Sequence, residues 1–154
     1  MATTDIFNFV QIDDRIGTGG QPTEDQMRSV KEDGYQVVIN LAPHDADNNA
    51  LPDEPGLMQE LGLEYHHIPV GFEGPTLDHY AAFCDAMDAA ADRKVLVHCA
   101  ANFRVSAFVS TYAIKNLGWT TEDADALLNN IWNTVPGYSM DDTWQAFIDA
   151  ARQV

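Results

Sequence analysis

The chain has 154 residues, 45% of them hydrophobic and with no break in composition, enough to enclose one core as a single domain over residues 1–154. Eight Lys and Arg against 24 Asp and Glu give a formal charge of -16, a surface that repels nucleic acid and anionic membranes and removes both from the expected partners. Two cysteines are too few for a disulfide framework or a four-cysteine zinc site, and the opening "MATTDIFNFVQIDDR" has neither a basic n-region nor a long apolar run, so the expected setting is a reducing cytoplasm.

In chain order, "DRIGTGG" reads as a short strand. The helix after it starts at the capping box Thr23-x-x-Gln26 and stops at Gly34. "YQVVINLA" is the next strand, β-branched and bounded by Pro43, and residues 42–55 form a polar, proline-containing loop. A short helix through Leu57, Met58 and Leu61 closes at Gly62, and "LEYHHIPV" is a third strand. "GFEGPT" leads into a long helix capped by Thr76, with Tyr80, Phe83, Cys84, Met87 and Ala91 on one face. Strand "KVLVH" runs into a loop at Cys99 and a helix ending at Gly118; two more helices follow over about 121–134 and 140–152. This alternation predicts an α/β three-layer sandwich, a central, mainly parallel sheet of four to five strands flanked by helices, with ligands at the carboxyl ends of the strands.

Cys99 falls at such an end. Thiolate is the reactive form of cysteine, and it is favoured where backbone N–H groups and a helix N-terminus converge. Those groups also cradle a tetrahedral anion, and an arginine at the helix start adds a bidentate fork. The candidate site is therefore Cys99 as nucleophile, Arg104 as anion clamp, and the backbone of Ala100, Ala101, Asn102, Phe103 and Val105 as the cradle, followed by Ser106. Cys84, on the apolar face of its helix, reads as core packing.

"GGQPT", "GYQVVINL", "GLEYHHIPV", "GPT" and "HCAANFRVSAF", in this order over about residues 15–118, resemble the bacterial branch of the protein tyrosine and dual-specificity phosphatase superfamily, close to the phosphatase-like domain of beta-lactamase-hydrolase-like proteins. The resemblance implies a hydrolase of phosphomonoesters, protein phosphotyrosine or small-molecule, working through a phosphocysteine on Cys99. Arg104 would hold the phosphoryl oxygens, Ser106 would assist the thiolate, His98 would support the loop, and no metal or organic cofactor would be needed.

The chain departs from that pattern twice. Four residues, not five, separate Cys99 from Arg104, which leaves two registers. Either the loop is one residue shorter with Arg104 in the arginine slot, or it keeps its length, with Asn102 at the usual glycine, Val105 in the arginine slot and Ser106 in place. Asn tolerates positive φ best among non-glycine residues, which favours the second. The acid is the other departure: where the pattern has Asp on a mobile loop, "GFEGP" offers Glu73, which is either a general acid tuned by burial or a plain surface glutamate. Asp78 reads as a first-turn helix charge, and Asp45 and Asp47 as solvated loop residues.

The Cys-x4-Arg spacing is also the loop length of single-domain rhodaneses, which carry a persulfide and need no acid, so a sulfurtransferase is the alternative, with a noncatalytic phosphate- or sulfate-binding module behind it. The rhodanese Asp-x-Arg and Gly-His-Ile segments are missing before Cys99. Of the histidines, His66 and His67 are strand neighbours and face opposite sides, and together with His44, His79 and His98 they make no metal-ligand spacing. Gly17 to Gln21 read as a tight turn near the mouth of the site, and Trp119, Trp132 and Trp144 as core.

Overall fold

The structure is a computed structural model that describes residues 2–44, 50–137 and 139–154. Asp45 and Asp47 lie outside the described residues. The strands are β1 (Val10–Gln11), β2 (Ile16–Gly19), β3 (Val37–Asn40), β4 (Glu64–His67) and β5 (Val95–His98). The helices are α1 (Glu24–Glu32), α2 (Glu54–Leu61), α3 (Leu77–Ala89), α4 (Phe103–Asn116), α5 (Thr121–Trp132) and α6 (Asp142–Gln153). The sheet order is β1-β2-β5-β3-β4, parallel throughout except for the antiparallel edge pair β1/β2.

The central strands β3 and β5 are near-continuous apolar runs because both of their faces are covered. Val37, Ile39, Val95 and Val97 join the larger core with α3 to α6, while Val38 and Leu96 point the other way, to Met27, Val30, Leu57 and Met58 of α1 and α2. Period-two alternation inside an all-apolar strand thus assigns each residue to one of two helical layers, the predicted sandwich.

Local signals set the element ends. The Thr23 hydroxyl accepts from the Gln26 N–H while the Gln26 side chain accepts from the Thr23 N–H, and Thr76/His79 and Thr120/Asp123 repeat the device. Gly34 and Gly118 leave their helices at φ +90° and +75°.

Two boundaries differ from expectation. The loop over 42–55 ends early, because the Asp53 side chain accepts from the Gly56 N–H and starts α2 at Glu54, with Pro55 in the first turn where its missing N–H costs nothing. Gly17 to Gln21 form no tight turn: Gly17 and Gly19 lie in β2, paired with Leu96 and His98, and Gly20 bridges to Ala101. The turn chemistry suggested by three glycines is overridden by close packing. A Cβ on Gly20 would sit 2.6 Å from the Ala100 carbonyl oxygen, so glycine here lets two backbones touch.

Candidate active site

Parallel β2, β5 and β3 end at one edge of the sheet, and the Cys99 loop leaves from the middle of it. Cys99 N–H donates to the Gly19 carbonyl at 3.3 Å and Gln21 N–H to the Ala100 carbonyl at 2.9 Å, so the β2 end lies along the loop. Cys99 is fully buried. Asn102 then turns the chain at φ 71°, ψ 3°, and α4 begins at the next residue; its first intrahelical bond is Ser106 N–H to the Asn102 carbonyl, at 2.9 Å. The N–H groups of Phe103, Arg104 and Val105 precede that bond and gather at the positive end of a 14-residue helix.

Asn102, third after Cys99, takes the positive φ that favours glycine. Val105, the residue after Arg104, is buried in the core. Asn102 is fixed by its amide, which donates to the Asn8 carbonyl at 2.8 Å and to the Thr18 hydroxyl at 3.2 Å, while the Asn8 amide donates to the Ala101 carbonyl at 3.0 Å.

Arg104, one step earlier on the helix, is 7% exposed. Its Nη1 donates to the Val70 carbonyl at 3.0 Å, its guanidinium carbon lies 5.9 Å from the centre of the Phe72 ring, and its Nε is buried with no partner among the described residues. The arginine thus runs from the start of α4, beside the Cys99 loop, to the β4–α3 loop, the one that carries Glu73. That loop is also gripped from α6, where Trp144 Nε1 donates to the Phe72 carbonyl at 2.7 Å, and Phe72 packs on Trp132 and Trp144. The burial expected to tune Glu73 is not found: its side chain is exposed, with Oε1 2.8 Å from where a Cβ on Gly71 would stand.

Ser106 is buried with both hydrogen-bonding functions engaged, donating to the Phe103 carbonyl at 2.9 Å and accepting from Trp132 Nε1 at 3.1 Å. His98 lies fully buried at the end of β5; Nδ1 is 3.2 Å from the Cys99 carbonyl and Nε2 2.7 Å from Glu54 Oε2. Burial alone would raise the Glu54 pKa, but the charge and hydrogen bond of His98, with hydrogen bonds from Gln21 and Tyr65, hold it down at about 2. Glu54 is the supporting residue that sequence reading misses. An acidic side chain next to Pro55 at a helix start looks like any first-turn charge, and its pairing with His98 spans 44 residues.

The remaining residues fall away from the loop. His67 bonds the Ala42 carbonyl and stacks on His44, His66 pairs with Glu64, and His79 caps α3. Among the described residues there is no group of three or more metal-ligating side chains, and no helix is long and apolar enough to cross a membrane. Cys84 is half-buried on α3 against the larger core, Asp78 is exposed in the first turn of α3, and Trp132 and Trp144 are core.

A five-stranded, mostly parallel sheet flanked by six helices, with a cysteine at the end of its central strand and a loop turning into a helix N-terminus, defines a phosphatase-like fold of the protein tyrosine and dual-specificity type. The chain belongs to the family described as DSP-PTPase phosphatase fused to NAD+ kinase, whose match runs over residues 5–136. The crystal structure of a DUF442 protein from Shewanella putrefaciens CN-32 is 33% identical and aligns with a TM-score of 0.85 over 97% of this chain and 94% of its own. A beta-lactamase hydrolase-like protein from Xylella fastidiosa (strain Temecula1 / ATCC 700964) is 32% identical over 102 residues, 62% of this chain and 22% of that protein, so the match spans about a fifth of the relative's length. TpbA of P. aeruginosa, crystallised in complex with pTyr, shares the fold at 15% identity, with a TM-score of 0.70 over 96% of this chain and 89% of its own.

Proposed function

We propose that the protein is a cysteine-dependent phosphatase of phosphomonoesters. The Cys99 thiolate attacks phosphorus, forming the S–P bond as the ester P–O bond breaks, and Glu73 gives its proton to the leaving oxygen. Water then attacks the phosphocysteine, the Glu73 carboxylate takes the water's proton, and phosphate leaves as the thiolate returns. The N–H groups of the loop from Ala100 to Val105 and the Arg104 guanidinium carry the charge of the transferring phosphoryl group. The reading needs no metal and no organic cofactor. Ser106 enters it as a strut that fixes the first turn of α4, since its proton is engaged with Phe103.

The observation that carries the reading is a buried arginine whose Nε lacks a partner among the described residues, beside a loop turned by Asn102 into the start of α4. A buried unpaired donor on a cation is costly, and an anion over the loop would satisfy it. The anion with which that donor would pair is a phosphoryl group. The strong negative charge of the chain favours small or weakly charged phosphate esters over acidic phosphopeptides.

The test is incubation with an aryl phosphate and, separately, with thiosulfate and a thiol acceptor, with the trapped intermediate weighed by mass spectrometry. A phosphoryl adduct on Cys99 is expected. A single added sulfur would make the protein a sulfurtransferase, and bound phosphate without turnover would make it a binding module. Arg104→Ala is expected to abolish protection of Cys99 by phosphate, and unchanged protection would remove Arg104 from the clamp.

A further inference from the structure

We infer that Glu54 is a positioning residue for Cys99, holding the His98 ring as a fixed cation behind the nucleophile loop; this rests on the reading of Cys99 as a thiolate nucleophile. Both ring nitrogens of His98 face oxygens that can only accept: the Glu54 carboxylate at 2.7 Å and the Cys99 carbonyl at 3.2 Å. Each nitrogen therefore donates, and the ring that satisfies both is the imidazolium. Such a cation with no exposure needs a buried counter-charge, and Glu54, 2% exposed, is that charge. Its other oxygen accepts from Gln21 Nε2 at 2.9 Å, and Gln21 also donates its N–H to the Ala100 carbonyl. One residue thus ties the carboxylate to the loop.

The order of the charges gives the pair its effect. The imidazolium bonds the Cys99 carbonyl, and the carboxylate lies on its other side on α2, so the positive end of the pair is the one next to Cys99 and favours its thiolate. The other titratable groups facing the pair come from β4 and the end of β3. Tyr65 hydrogen-bonds Glu54; burial and the Glu54 charge push its hydroxyl far up, so it stays neutral. His67 has its pKa lowered by burial and faces both members of the pair, with His44 stacked on it. Neither supplies a charge that replaces Glu54.

Glu54→Gln keeps the shape and removes the charge. The experiment follows alkylation of Cys99 by iodoacetamide against pH in the full chain, reading the Cys99 peptide separately from Cys84 by mass. In folded Glu54→Gln the pH midpoint is expected to rise and the rate at neutral pH to fall by about tenfold, the size of a one-unit change in thiol pKa. In a His98→Asn background the same substitution is expected to add no further shift, because Glu54 acts through the ring. An unchanged midpoint in the folded variant, or a full further shift on the His98→Asn background, overturns the inference. Ring-nitrogen NMR on the unaltered protein decides independently of whether the variants fold: both His98 nitrogens are expected to carry protons at pH 7, and a bare nitrogen overturns the cation. No readout requires turnover, so loss of the phosphatase reading and loss of this one give different results.

Discussion

The Cys99 loop and the loop that carries Glu73 leave the same edge of the sheet, yet they are held by different forces. Behind Cys99 stand buried polar groups with named partners: Asn102 to Asn8 and Thr18, His98 to Glu54, Gln21 to Glu54 and the Ala100 carbonyl. Residues 70–74 are pinned by the Arg104 and Trp144 hydrogen bonds and by Phe72 in an aromatic cluster, while the carboxylate of Glu73 faces water. A buried hydrogen-bonded network leaves few alternative geometries and is suited to a group that must sit in one place. A loop held at two points with an exposed acid is suited to a group that acts only when substrate covers it.

Each region can be challenged separately. Cys99→Ser removes the proposed nucleophile and is expected to reduce aryl phosphate turnover more than about 10³-fold, roughly 4 kcal/mol of barrier, with the fold intact by circular dichroism. Residual turnover above that level would mean that the Cys99 side of the comparison is not the reacting side.

The Glu54–His98 pair predicts acid sensitivity on the same side. The Glu54 carboxyl is held at a pKa of about 2 in the folded protein, below the ordinary 4.5 of a glutamate in the unfolded chain. The stability it contributes is therefore fully present above the unfolded value and is lost as pH falls from about 4.5 towards 2, on the order of 3 kcal/mol at the limit. Urea midpoints measured down this range are expected to fall less steeply in Glu54→Gln than in the unaltered chain.

On the acid loop, Glu73→Gln is expected to cost about 10²-fold in kcat for alkyl phosphates and much less for nitrophenyl phosphate, whose leaving group needs no proton. Equal losses on both substrates would show that Glu73 binds rather than protonates.

The smallest effect falls on the turn. Asn102→Ala places a Cβ-bearing residue at φ 71° without the amide that holds Asn8 and Thr18, and is expected to lower stability by about 2 kcal/mol in urea unfolding. Asn102→Gly relieves the backbone and is expected to lose about half as much.

Much of this was readable in advance. The capping box at Thr23, the cap at Thr76, the apolar strands and the stops at Gly34 and Gly118 are local signals, and each element they mark is present. Asn102 was legible too, because positive φ is a property of one residue. Glu54 is not legible in that way: in the sequence it is one acid of a polar, proline-containing stretch, and its partner His98 lies 44 residues further on. The aromatic clamp on the Glu73 loop was equally hidden, since Trp132 and Trp144 announce burial but not that Trp144 bonds the Phe72 carbonyl.

By itself the sequence determined the layers, the strand end that carries Cys99 and the residue that turns the loop, because periodicity, capping and backbone preference act over a few residues. Only the tertiary structure decided where Arg104 points, what faces His98 and what pins the loop of Glu73. Those contacts join residues more than thirty positions apart, and their strength comes from burial, which no local pattern encodes.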